Sequence, residues 1–161
     1  MSPPPPYGQE SMHADLSDHF RSVIDANLYM TIATADETGS PWASPVYFAH
    51  AAYREFIWVS KPGARHSQNI AARPHVGIAV FDSHAPISTG GGVYVEAAAE
   101  QLFGDDRLPA LEVFSARSIE DGGGPFGLEE IEPPAGLRIY RATASEHWVL
   151  DDRDLRIPVA V

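Results

Sequence analysis

The chain has 161 residues and 44% hydrophobic content, enough for one packed core and short of two ordinary domains. Its 22 acidic and 11 basic side chains leave a formal net charge of -11, which argues against nucleic acid and anionic membrane surfaces as partners. Cysteine is absent, so disulfides, thiolate metal sites and thiol catalysis are excluded, and the lack of a long apolar run or signal-like segment points to the cytoplasm.

In chain order, "MSPPPPYGQE" is proline-rich and polar, and residues 1–12 are expected to be a disordered arm ahead of a single domain over 13–151. Leu16, Phe20, Val23 and Ile24 recur at helical spacing, with Asp15 or Ser17 as cap, and predict a short amphipathic helix over one end of the core. "LYMTIATA" and "WASPVYFAHA" predict two strands joined through "DETGS", where Gly39 can take positive φ. Pro45 cannot donate to a central ladder, so the backbone there faces an edge, a bulge or a ligand.

A turn at "YREF" leads to the strand "FIWVS", then to a helix in "GARHSQNIAAR" that Pro74 stops. "HVGIAVFD" is nearly continuous in apolar character and predicts a strand buried on both faces. "VYVEAAAEQLF" predicts a long strand in which Val93 and Val95 alternate with Tyr94 and Glu96. "DDRLPALEVFSARS" predicts a third helix, and the Gly/Pro-rich residues 119–136 predict the most mobile internal region. "LRIYRATA" and "EHWVLD" are expected to close the domain as a hairpin, with residues 152–161 as a tail. Six or seven mostly sequential strands with short connections predict an α+β, mainly β fold: an antiparallel barrel with short flanking helices.

One stretch is out of character with the acidic chain. From Phe56 to Phe81 there is no acidic residue, while Lys61, Arg65, His66, Arg73 and His75 fall there. A strand ending at Ser60 runs through a Pro-Gly turn into a helix starting near Ala64. The first amides of that helix lack backbone partners and favour an anion. Arg65 can grip a phosphate with two parallel hydrogen bonds, and Ser60 and Ser67 add hydroxyl donors.

The segment "FIWVSKPGARHSQNIAARPHVGIAVF", with "GSPWASPVYF" before it and "VYVEAAAEQL" after it, resembles the pyridoxamine 5'-phosphate oxidase-like family, the FMN-binding split barrels. The resemblance runs from about Leu16 to Asp151. It implies a six-stranded antiparallel split β-barrel and a homodimer with two flavin sites in its interface. Ser60, Lys61, Arg65, His66 and Ser67 are implied at the cofactor phosphate. Ser44, Pro45, Val46 and Tyr47 are implied along the isoalloxazine ring. Gln68 and Asn69 lie behind them, and Gly92 stands where a partner side chain often reaches the flavin.

The chain departs from pyridoxamine 5'-phosphate oxidases proper, which carry Arg where Ser44 stands and Lys where Ala49 stands. It also lacks their Trp- and Arg-bearing C-terminal segment, so pyridoxine phosphate is not the expected substrate. The resemblance implies an FMN-dependent oxidoreductase acting on a small organic molecule, with NAD(P)H as a candidate donor. The deazaflavin F420 as cofactor, or flavin or ligand binding without turnover, is the alternative. On that reading, replacing His66 with Lys would restore the family's usual charge.

Other constellations are weaker. The histidines at 13, 19, 50, 66, 75, 84 and 147 form no HxH or HExxH pair, so no metal is expected. "STGGG" lacks the lysine of a phosphate loop, and no Gly-x-Ser-x-Gly elbow supports a hydrolase. Trp42, Trp58 and Trp148 read as core or interface packing residues, with Trp42, close to the implied flavin strand, a lesser candidate for stacking on a ligand.

Overall fold

A computed structural model describes residues 7–161, with side chains from Asp15 onward. Eight strands form one antiparallel sheet: β1 Tyr29–Ala35, β2 Pro41–Tyr47, β3 Ala49–Ala51, β4 Glu55–Ser60, β5 His75–Phe81, β6 Gly92–Gln101, β7 Arg138–Leu150 and β8 Arg156–Pro158. The helices are α1 Tyr7–Ala26, α2 Arg65–Ala72, α3 Arg107–Glu120 and the short α4 Leu128–Ile131. The sheet runs β2-β1-β5-β6-β7-β4-β3, with β8 added to β7. It curls into a split barrel, and two three-residue strands account for the excess over the expected six.

Alternation sets the inside of the barrel. Met30, Ile32, Ile78, Val80, Val93, Val95, Ala97 and Ala142 point inward, and Phe20 and Ile24 of α1 close one end. The helical spacing of Leu16, Phe20, Val23 and Ile24 thus reports a real apolar stripe. A second cluster outside the barrel packs Phe114, Leu111 and Ile131 of α3 and α4 against Ile57 and Ile139. Each fully buried side chain of this size contributes roughly 1.5–3 kcal/mol relative to exposure.

The first hairpin forms as its residues require. Gly39 has φ +90, and the Asp36 carboxylate accepts from the amides of Thr38 and Ser40 at 2.9 and 3.0 Å. Of the three roles open to Pro45, the structure selects the edge: β2 is the last strand of the sheet. The turn into β4 holds Ala52 and Tyr53 at φ 50 and 57, where a glycine would be favoured. Tyr53 is held there by its hydroxyl, which donates to Asp25 at 2.8 Å, and by stacking on His50.

Several expectations are corrected. β5 is not buried on both faces: Val76, Ile78 and Val80 are inside, whereas Gly77 and Ala79 are half-buried on the outer face. Small outward side chains had made the segment look uniformly apolar. Residues 138–150 are one strand, not a hairpin. No turn residue interrupts them, and the extra residue is absorbed as a bulge opposite Glu96 and Ala97. The C-terminal tail is tied down as β8, and Ser17 Oγ donates to the carbonyl of Ala160 at 2.8 Å. Helix α1 takes in residues 7–12 of the segment expected as an arm; residues 1–6 of that arm lie outside the described residues.

The Gly-rich segment is anchored. Gly123 N–H donates to the carbonyl of Ser118 at 2.7 Å, Phe126 N–H donates to Ser115 Oγ at 2.9 Å, and the Phe126 ring packs edge-on against Phe114. The amides of Gly123 and Phe126 are therefore expected to exchange with solvent more slowly than those of Ile87 and Gly90 in the exposed loop before β6. Exchange followed by NMR checks this, and the reverse order would restore the mobile segment.

Candidate functional site

The split lies between β2 and β4. Strand β3 pairs with β4 only over Glu55–Ile57, so Trp58–Ser60 extend past it, and no ladder joins them to β2. Helix α2 starts just after β4 and packs on β1, β6 and β2. His66, 8% exposed, bridges the gap: Nε2 lies 2.8 Å from Ser60 Oγ, and Nδ1 lies 3.1 Å from Ser44 Oγ. One side chain from each of β2, α2 and β4 therefore forms a continuous polar chain. Asn69 adds a second tie, its amide donating to Thr34 Oγ1 of β1 at 3.0 Å.

The cationic turn is open. Ala64 caps α2 with no side-chain hydrogen bond, so the amides of Arg65, His66 and Ser67 have neither a preceding helical carbonyl nor a capping oxygen. Lys61 and Arg65 are exposed, and among the described residues neither is in an ion pair. The Arg65 guanidinium lies 4.6 Å from the centre of the Trp42 ring. Trp42, 42% exposed, is thus a surface support for the cation and not a core residue. The nearby Asp36 carboxyl is held below its ordinary range, chiefly by the Thr38 hydroxyl and the Ser40 amide, with Arg65 contributing least. That carboxylate is already engaged in its own turn.

Not every expected residue joins the cluster. Along β2, Ser44 and Val46 point inward, the latter into the core, while Pro45 points out. Tyr47 turns toward α3, where its hydroxyl donates to Asp121 at 2.8 Å; burial and that carboxylate push its phenol up to about 12. Only the β2 backbone and Pro45 therefore present a surface to a flat ring. Ser67 is buried on the other side of α2, in a hollow with Ile70, Pro74, Ala99 and Tyr140, and its Oγ has no partner. Gln68 is exposed. No group of three or more His, Asp or Glu among the described residues is arranged to hold a metal. The stacking of Arg65 on Trp42 and the bridging role of His66 were missed by sequence reasoning. An aromatic two residues before Ser44 on an edge strand was the available signal.

The model of the family described as pyridoxamine 5'-phosphate oxidase matches residues 16–148. The chain belongs to that family. No curated protein sequence matches it significantly. Among solved structures, it is similar to a heme-binding protein from Mycobacterium smegmatis with TM-score 0.71 at 16% identity, over 89% of this chain and 57% of that one. A FAD-binding protein from Mesorhizobium loti superposes with TM-score 0.60 at 22% identity, over 83% of this chain and 92% of that one. An F420 reductase superposes with TM-score 0.56 at 22% identity, over 80% and 94% of the two chains. At these identities the likeness establishes the fold. The chain spans little more than half of the mycobacterial protein.

The buried His66 ring overturns the expectation that lysine would serve better there. Lysine would bring an unpaired ammonium into a gap already lined by two hydroxyls, at a cost of about 1–3 kcal/mol. His66→Lys should lower the melting temperature and weaken anion binding, read by thermal melts and titration. Burial also holds the imidazole below its usual 6.5, and His147 shifts the same way for the same main cause. Below 6.5 the unfolded chain then binds more protons than the folded one. Stability is full above that value and is lost as pH falls toward the folded pKa. The melting temperature of wild type should fall between about pH 7 and pH 5, and less steeply for His66→Gln.

Proposed function

We propose that the protein is an FMN-dependent oxidoreductase acting on a small organic molecule other than pyridoxine phosphate. The observation that carries this reading is the uncapped first turn of α2, with exposed Arg65 and Lys61 beside Ser60 and no carboxylate paired to either cation. A donor set of amides, a guanidinium and a hydroxyl suits a phosphate monoester. The edge-strand backbone at Ser44–Tyr47 is then the surface along which the isoalloxazine ring lies. Bound FMN would supply hydride transfer, while this chain supplies binding, orientation and exclusion of water. Tyr47, tied to Asp121 with its phenol near 12, is not suited to donate a proton near neutral pH. That agrees with chemistry carried by the cofactor, with NAD(P)H as candidate donor.

Similarity to the F420 reductase supports a second reading, reduction with F420. Similarity to the heme-binding protein supports a third, ligand binding without turnover. The optical spectrum of the purified protein separates flavin, deazaflavin and heme. Consumption of NAD(P)H with an added acceptor separates turnover from binding.

Arg65→Ala should weaken FMN binding by roughly ten- to over a hundred-fold, because a charge-assisted hydrogen bond of about 1.5–3 kcal/mol is lost. Riboflavin has no phosphate, and its affinity should change far less. Equal losses for both flavins in parallel titrations, or none for either, would sink the phosphate assignment.

The proposed assembly is a C2 homodimer. Val46, Phe48, Phe56, Ile57 and Trp58 are buried within one chain and are not free to meet a partner. The candidate face is the outer side of β1, β5, β6 and β7, where Thr31, Ala33, Gly77, Ala79, Tyr94 and Trp148 line a shallow, mainly apolar concavity that also includes Glu96 and Arg156. Light scattering at micromolar concentration with FMN bound should give twice the chain mass. An Ala79→Arg change on that face should give a folded monomer.

A further inference from the structure

Ser60 Oγ, His66 Nε2, His66 Nδ1 and Ser44 Oγ form one chain with links of 2.8 and 3.1 Å. A neutral imidazole has one N–H and one lone pair, so the chain can run in only two directions. If Ser60 donates to Nε2, then Nδ1–H donates to Ser44, and the Ser44 proton needs another acceptor. Ser44 is buried, and among the described residues its Oγ has no partner besides His66. That direction leaves a buried donor unpaired. In the other direction Ser44 donates to Nδ1, Nε2–H donates to Ser60, and the Ser60 proton is left over. Ser60 is half-buried at the end of β4, directly before the cationic turn, so its proton can meet solvent or a ligand.

We infer that Ser44 and His66 are positioning residues that hold the Ser60 hydroxyl as an outward donor at the first turn of α2. No charged group faces the ring from the packed elements: Arg65 lies on Trp42, Lys61 is exposed, and Asp36 is engaged in its own turn. The direction of the chain is therefore set by burial. A turn with amides, Arg65 and a preset hydroxyl donor presents mainly donors to its ligand. It favours a group that only accepts, a fully ionised phosphate monoester, over one that only donates, such as an ammonium or an amide N–H. This deepens the FMN reading and rests on it for the identity of the ligand.

Two measurements test it. In ligand-free protein, nitrogen-15 NMR of the His66 ring should show the proton on Nε2, and a proton on Nδ1 overturns the inference. In FMN titrations, Ser60→Ala should weaken binding about ten- to a hundred-fold, and Ser44→Ala about three- to tenfold, with riboflavin affinity unchanged for both. Because Ser44 acts through Ser60, the double variant should bind FMN no worse than Ser60→Ala alone. Additive losses would mean that Ser44 acts separately, and that overturns the inference. If wild type binds no FMN, the flavin reading fails by itself. Inorganic phosphate then replaces FMN in the same cycle, and with the ring tautomer it decides this inference.

Discussion

A curled sheet that does not close leaves two edges to manage, and here β2 and the end of β4 meet without a ladder. Unpaired backbone in such a gap is costly when buried and sticky when exposed. The chain answers with His66 in the first turn of α2, whose two nitrogens reach one serine on each edge. Pro45 suits the same constraint from the other side, since an edge strand is where a residue without an N–H is tolerated.

The charge distribution has a local logic. A protein of net charge -11 repels anions at long range, so an anion site needs cations and amides at contact distance. The cationic turn supplies them within a few residues, in a stretch free of carboxylates from Phe56 to Phe81. Trp42 restrains Arg65 without neutralising it, which a carboxylate partner could not do. The two core clusters carry the mechanical load elsewhere, so the site is built mainly from residues whose loss leaves the barrel packing intact.

Much of this was legible in the amino-acid order because it is local. Period-two alternation places Val93 and Val95 inside; a Gly at position 39 permits the hairpin; the helical stripe of α1 marks its buried face. The ordered set of strands, turn and helix was enough to recognise the family. Misreadings arose where local signals were ambiguous. Gly77 and Ala79 look apolar whichever way they face.

The sequence by itself determined the strands, the turn chemistry and a cationic, carboxylate-free junction, since each depends on residues a few positions apart. Only the tertiary structure decided what those residues do to one another. His66 and Ser44 stand 22 positions apart, and Arg65 of α2 reaches Trp42 on β2. Nothing in spacing brings such residues together. The curl of the sheet does, because it lays the edge strand β2 beside the end of β4 and brings both within reach of the first turn of α2.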